Sequence, residues 1–448
     1  MSGYSIPGPE MRVCVYGLWH LGSVTAACLA SVGIETIGLD PSHEIIANLS
    51  KGRAPLFEPG LDELIQSGLK KEKLQFEVSA KKALTGAQVV WVTFDTPVDD
   101  DDRADVDSVL NNVKSILPFV EDGSVVLISS QMPVGSIRTL EDYAGLLMPA
   151  KKVSFASSPE NLRLGKSIEV FLNPDRIVVG TRSNTVDNIL AEMLAFANNK
   201  IEWMSIESAE MTKHAINAFL ATSITFANEI AAICELTGAD AKEVERGLKT
   251  ESRIGPRAYL SPGGPFAGGT LARDIEFLGR ESEIHQLASP LLSAVRPSND
   301  EHKNWVRRKL LQQFDGRLIG QSVGIWGLTY KPGTDTLRRS LAVELCDWLL
   351  SEGAKVFVFD PAIPELPERW SGRVIRCANA IDVVQLVNAL VIGTEWPEFK
   401  DLAEEILSNA KTNAVVIDAN RHLQSHIESF WRSGIAYIAV GTPSLLRR

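Results

Sequence analysis

Cysteine is scarce in this chain. It occupies five of 448 positions, Cys14, Cys28, Cys234, Cys346 and Cys377, and no two form a CxxC pair. Few, far apart and odd in number, these residues argue against a disulfide framework and a thiolate zinc site; reduced thiols in a cytoplasmic protein are expected, with no bound metal. Long apolar runs are also lacking, and none approaches the roughly 20 residues that a membrane-spanning helix needs. The N-terminus, MSGYSIPGPE, has neither a basic n-region nor an apolar h-region, so no signal peptide is expected and residues 1–10 read as a flexible extension. An excess of basic residues is missing too: 45 Lys and Arg stand against 56 Asp and Glu, a net charge of −11. That balance favours solubility and disfavours a nucleic-acid partner. What remains is an ordinary globular mixture whose length implies two or three domains.

The α/β rhythm is legible at both ends. MRVCVYG is a short valine-rich strand, SVTAACLASVG a helix of small residues, and ETIGLD a second strand ending in Asp40. Strand, tight turn, helix and strand make the opening unit of a nucleotide-binding sheet. AQVVWVTF, SVVLISS and DRIVVG read as further buried strands, which implies a parallel sheet covered on both faces. Between about 203 and 250 the pattern is helical for about seven turns, with Gly238 as the expected stop. A helix this long links domains or forms a dimer face. After residue 320 the rhythm restarts with QSVGIWGL, AKVFVFD, ALVIGT, AVVIDA and IAYIAVG. The fold class is therefore α/β, with two doubly wound Rossmann-like domains joined by a long central helix. The acidic run at 99–102 reads as a solvated loop.

GLWHLG, Gly17 to Gly22, lies between the first strand and its helix, the context of a GxGxxG fingerprint. Asp40 comes at the distance expected of a ribose-binding acid, and an acid there favours NAD over NADP. The first and third glycines are present, but Trp19 stands at the second. Amides at a helix N-terminus still attract phosphate. The turn alone leaves open a sheet whose cofactor binding is reduced or lost.

Several ordered segments resemble the UDP-glucose/GDP-mannose dehydrogenase family: FEPGLDEL, SSPENLRLGKSIEVFLNPDRIVVG, AEMTKHAINAFLATSITFANE, SRIGPRAYLSPGGPFAGGTLARD, GLTYKPGTDTLRRS and TEWPEF. The resemblance runs from about residue 11 to 442. It implies an NAD-binding domain at 11–202, a central helical dimerisation domain with a substrate loop at 203–300, and a C-terminal nucleotide-sugar domain at 301–448. It further implies oxidation of a UDP-hexose at C6 by a homodimer. Carried over by position, Lys213 and Asn217 stand near the reacting carbon, four apart on one helix. Asp274 and Glu160 match acids of the family's site. The cofactor is expected at Gly17, Trp19, Leu21, Gly22, Asp40, Thr96 and Arg338, and the substrate at Arg253, Tyr259, Lys331 and Arg421.

Departures from the pattern cluster in the chemistry. Counting forward from Phe266, Thr270 falls where the family has its nucleophilic cysteine. Leu164 replaces a second glutamate, Gln131 a threonine and Asn161 a phenylalanine. A thiol with a pKa of about 8.5 is partly ionised at neutral pH and attacks an aldehyde well, whereas a threonine hydroxyl needs an adjacent base. The second of the family's two hydride transfers is then not expected to be efficient. Three readings are open: an enzyme that performs one two-electron oxidation, a nucleotide-sugar-binding homologue without redox chemistry, or ordinary dehydrogenase activity by a non-thioester route.

Overall fold

A computed structural model describes residues 11–99, 104–160, 162–197, 200–267 and 269–443, apart from the side chain of Leu407. The expected extension at 1–10 and most of the acidic run at 99–102 lie outside the described residues. Two compact units, residues 1–216 and 217–448, divide the chain.

The first unit opens with β1 (Arg12–Tyr16), α1 (His20–Ser31), β2 (Glu35–Leu39), α2 (His43–Leu49), α3 (Leu61–Lys70), β3 (Leu74–Glu77), α4 (Ala80–Leu84) and β4 (Val89–Val92). It continues through α5 (Val106–Ile116), β5 (Val125–Ile128), α6 (Ser136–Leu147), β6 (Ser154–Ser157) and α7 (Ser167–Leu172). β7 (Ile177–Gly180), α8 (Asn184–Met193), β8 (Ile201–Met204) and the first turns of α9 (Ile206–Thr237) complete it. The sheet order is β3-β2-β1-β4-β5-β6-β7-β8.

Alternation along the strands builds two cores, one per face. Val13 and Val15 of β1 join Val89 and Trp91 of β4 on one side, while Cys14 and Tyr16 join Val90 and Val92 on the other. The sheet differs from the expected parallel one in a single pairing: β6 and β7 run antiparallel. The crossover is short, because the six-residue α7 spans only about 9 Å, and the chain re-enters the sheet at the end where it left.

α9 is a 32-residue helix, and Gly238 stops it in a left-handed conformation (φ +83°), its N–H bonded to the Cys234 carbonyl. Among the described residues it is the one helix long and apolar enough to cross a membrane by length and composition, although 44% of its most apolar stretch is buried in the protein.

The second unit continues with α10 (Ala241–Thr250), α11 (Thr270–Ile284), α12 (Pro290–Lys303) and α13 (Trp305–Gln313). Then come β9 (Ser322–Trp326), α14 (Leu341–Ser351), β10 (Lys355–Phe359), β11 (Val374–Arg376), α15 (Ala380–Leu386) and β12 (Ala389–Ile392). α16 (Glu398–Asp401), α17 (Ala403–Asn409), β13 (Val415–Ile417), α18 (Ile427–Arg432) and β14 (Ala436–Ile438) close it. Its sheet, β11-β10-β9-β12-β13-β14, is parallel throughout. Both sheets therefore reverse strand order beside their first strand, the place where doubly wound folds bind ligands.

Within the second unit a buried carboxylate pins three segments together. Glu235 of α9 accepts from Trp305 Nε1 at 2.8 Å, Lys309 Nζ at 2.7 Å and Gly441 N at 2.9 Å. Removing it strands a buried ammonium and two donors. Glu235→Ala is expected to lower unfolding stability by about 3–5 kcal/mol, read from urea titrations; a loss under 1 kcal/mol would show that the carboxylate is dispensable.

Candidate active site

In the first unit, Gly17 ends β1 with φ +96°, and a Cβ there would sit 2.8 Å from the ring of Phe94. A Cβ on Gly22 would lie 1.9 Å from the Gly17 carbonyl oxygen, so only glycine lets α1 pack this closely against the turn. Trp19 caps α1 without a side-chain bond and is half-exposed, leaving the first-turn amides of α1 available to an anion. Leu21 is buried in the same turn. Asp40 is buried; its Oδ2 accepts from Leu18 N at 2.7 Å and its Oδ1 from Ser42 N at 2.9 Å. Each oxygen keeps a lone pair for a ribose hydroxyl. The Thr96 hydroxyl donates to the Gln131 carbonyl at 2.5 Å.

The start of α9 reaches two loops with three side chains. Glu210 accepts from Gly135 N at 2.8 Å and Ile137 N at 3.1 Å, at the N-terminus of α6. Burial pushes its carboxyl above the usual range, and those two amides offset part of the rise. Lys213 Nζ donates to the Glu160 carbonyl at 2.7 Å and lies 3.7 Å from its carboxylate. His214 Nε2 lies 2.9 Å from the Met132 carbonyl. These side chains, with Ser130, Gln131 and Glu160, line a cavity of about 20 Å³, room for one water. Leu164 is half-exposed, and Asn161 lies outside the described residues.

In the second unit, the glycine-rich loop before α11 is held by side chains. Asn228 Oδ1 accepts from Gly263 N at 3.0 Å, and Asn420 Oδ1 from Gly264 N at 2.5 Å. Asn299 bonds both the N–H and the carbonyl of Phe266, at 2.9 and 2.8 Å. His302 Nε2 meets the Gly263 carbonyl at 2.7 Å; burial lowers its pKa, so it donates as a neutral imidazole. Gly269 (φ +111°) turns the chain into α11. Thr270 is the first residue of that helix, and it faces an open cleft of about 640 Å³ with Lys242, Tyr259, Tyr330, Glu395 and Asn420. One turn further, Asp274 is fully buried and accepts from the amide of Asn217.

Residues 11–197 match the NAD binding domain of the UDP-glucose/GDP-mannose dehydrogenase family, residues 207–301 its central domain and residues 324–425 its UDP binding domain. The UDP-glucose 6-dehydrogenase of Pseudomonas aeruginosa is 31% identical over 447 residues, covering 97% of this chain and 98% of that one. The enzyme of the same name from Rhizobium meliloti is 30% identical over 439 residues, covering 97% and 100%. A solved UDP-glucose dehydrogenase from Pyrobaculum islandicum superposes with a TM-score of 0.81 at 27% identity, over 98% of this chain and 99% of that one. The chain belongs to the UDP-glucose/GDP-mannose dehydrogenase family.

Within that family assignment, the expected site residues fare unequally. Lys213 and Glu160 meet, as do Asn217 and Asp274, and Tyr259 lines the cleft with Thr270. Arg253 is exposed and paired with Glu251 at 3.0 Å. Lys331 and Arg338 are exposed on the loop after β9, and neither lines the cleft. Arg421, expected as a substrate contact, lies inside the second unit. Its guanidinium is buried, bonded to the Val440 carbonyl at 3.0 and 3.2 Å and to Asp240 at 3.2 Å. Its neighbour Asn420 lines the cleft instead. Glu395, in the TEWPEF segment, also lines it, and burial raises its carboxyl above the usual range. The Asn228, Asn299 and His302 clamps carry no signal in the sequence.

All five thiols are buried in other elements. Burial pushes Cys28 up to about 12 and raises Cys14, Cys234, Cys346 and Cys377 as well.

Glu245 supports the cleft wall from below: it accepts from Lys242 at 2.8 Å, Lys249 at 2.6 Å and Ser261 Oγ at 2.6 Å. Burial works against its charge, but these donors outweigh it and hold the pKa at about 2. A depressed folded-state pKa gives stability above the unfolded value near 4.5 that is lost as pH falls toward 2. Glu245→Gln is therefore expected to lose up to about 3 kcal/mol at pH 7 and to flatten the acid limb of stability, which chemical denaturation between pH 2 and 7 measures. An unchanged acid limb would refute the assignment.

Proposed function

We propose that the protein is an NAD-dependent oxidoreductase acting on a nucleotide sugar, a UDP-hexose, and that it removes two electrons per substrate instead of four. The observation that supports this reading is that Thr270 lines the cleft while all five cysteines are buried elsewhere; we read Thr270 as standing at the family's cysteine position. The residues of the first turn fit a dinucleotide: Gly17 and Gly22 bring α1 tight against the turn, the start of α1 has no side-chain cap on its amides, and Asp40 is in place for a ribose. NAD held there supplies the hydride acceptor. In the proposed roles, Glu160 orients Lys213, whose ammonium stabilises the alkoxide as charge develops on the sugar oxygen. Asp274, wholly buried, acts through Asn217: it fixes the amide so that its remaining groups meet the sugar hydroxyl. One C–H and one O–H bond break, a carbonyl forms, and the proton leaves to solvent. Thr270 can donate a hydrogen bond to that carbonyl, but it does not trap it covalently. Five reduced, buried thiols fit the cytoplasmic location expected for such an enzyme.

A binding protein without redox chemistry is the second reading, favoured by Trp19 at the second glycine position and by the apolar, half-exposed Leu164. NADH stoichiometry with UDP-glucose and related UDP-sugars decides between them. One NADH per sugar, with a carbonyl trapped by hydroxylamine, is the expected result, and Thr270→Cys should add a second NADH and acid product. Two NADH from the unaltered protein would overturn the reading, and UDP-sugar binding with no NADH would select the second.

The proposed homodimer rests on α9. Phe219, Phe226, Ile233 and Leu236 are exposed at intervals of seven, seven and three residues, an apolar seam of coiled-coil spacing. Light scattering should give twice the mass of 48.9 kDa for the chain, and Phe226→Glu should give the monomer. A dimer that survives the substitution would place the interface elsewhere.

A further inference from the structure

The FEPGLDEL segment has no part in the proposed chemistry, yet its glutamate is among the most heavily bonded groups in the first unit. The Glu58 side chain is 1% exposed. Its Oε1 accepts from Ser167 N at 2.8 Å. Its Oε2 accepts from Gly165 N at 2.9 Å and Ser167 Oγ at 3.1 Å, and lies 3.0 Å from His20 Nε2. An ionised carboxylate only accepts, so Nε2 of His20 carries the hydrogen. Burial opposes the charge of Glu58, but the four donors outweigh it and hold the carboxyl below the usual range.

These partners belong to two different parts of the site. His20 is the first residue of α1, inside the dinucleotide turn. Gly165 and Ser167 end the loop that begins at Glu160, the residue that holds Lys213. Within that loop, Glu160 Oε2 accepts from Leu162 N at 2.7 Å, and the Arg163 carbonyl accepts from Ser167 Oγ at 2.9 Å. Hydrogen bonds and a short stretch of loop backbone thus lead from the turn, through His20 and Glu58, to Glu160 and its lysine.

We propose that Glu58 is a positioning residue that couples the dinucleotide turn to the Glu160 loop, so that an occupant of the turn tightens the loop through His20. The cofactor half of this statement rests on the reading of the turn as an NAD site; the coupling half does not. The His20 bond helps fix the orientation of the buried carboxylate whose two oxygens also hold the amides of Gly165 and Ser167, so losing it frees the side chain to turn and loosens both amides.

Amide hydrogen exchange of the full chain tests it. In cofactor-free protein, His20→Phe should speed exchange of the Gly165 and Ser167 amides by roughly tenfold, the effect of one charge-assisted hydrogen bond. His20→Gln, whose amide can still donate to Glu58, should stay within about twofold of the unaltered protein. NADH, followed by its fluorescence, should slow the two amides in the unaltered protein and His20→Gln but not in His20→Phe. If the phenylalanine lowers the melting temperature, His20→Ala is the second variant. Amides that exchange alike in the Phe, Gln and unaltered proteins overturn the coupling, and so does equal acceleration in Phe and Gln, which marks a purely structural role. If the unaltered protein fails to bind NADH, the cofactor reading falls while the cofactor-free comparison still decides the coupling.

Discussion

Loop backbone beyond the strand ends has no ladder to bond with, and this constraint shapes each part of the site. Every N–H and carbonyl there needs a partner, and a buried one left bare costs about 1–3 kcal/mol. The chain meets the requirement with buried side chains from neighbouring elements. Glu58 takes the amides of Gly165 and Ser167, and Glu210 those of Gly135 and Ile137. Asn228, Asn299, His302 and Asn420 take the backbone of residues 263 to 266. The loops are consequently fixed by groups that cannot move without exposing unpaired polar atoms. On α9, Glu210, Lys213 and His214 fall at i, i+3 and i+4, so one helix face serves two loops at once.

The same first turn is built twice. Gly17 and Gly327 both take positive φ, at +96° and +86°. Asp40 accepts from Leu18 N at 2.7 Å and from the amide two residues on; Asp360 accepts from Leu328 N at 2.6 Å and likewise from Ala362 N. Past the turn the two units diverge. α1 begins at His20, three residues after Gly17, whereas α14 begins at Leu341, well after Gly327. The first turn therefore runs directly into a helix N-terminus, which can attract an anion. The second carries a long loop there, with Tyr330 at the cleft.

How much of this was legible in the sequence depends on which interactions leave a periodic trace. Strands at the centre of the sheets, such as VVWV and VVLI, are buried on both faces and read as continuous apolar runs. β3, β8 and β11 sit on edges, lack a continuous buried run, and were not legible; β6, with serine at both ends, was missed for the same want of an apolar run. Gly238 announced the end of α9 because a left-handed residue needs glycine. The clamps were silent, since an asparagine that bonds backbone 35 residues away has no preferred spacing. The partners of Arg421 were silent for a related reason: a guanidinium beside a loop looks the same in sequence whatever it meets, here Asp240 and the Val440 carbonyl.

The chemical weight of position 270 comes from its place at the start of α11. A helix N-terminus favours an anion by up to about 2 kcal/mol, or about 1.5 pKa units. Applied to a thiol near 8.5, that shift brings the pKa to about neutrality and makes the thiolate abundant. Applied to an alcohol, whose acidity is close to that of water, it changes nothing of consequence. The field that would activate sulfur therefore leaves the Thr270 oxygen neutral. Among the described residues of the cleft, Lys242 is bonded to Glu245 and Glu395 is tied to Asn420. On the proposed reading, a carbonyl formed there meets hydrogen-bond donors, which polarise it, and a neutral hydroxyl that does not make it tetrahedral. Without that step there is no second hydride to remove, and on this reading two-electron chemistry results from one oxygen standing at the head of a helix.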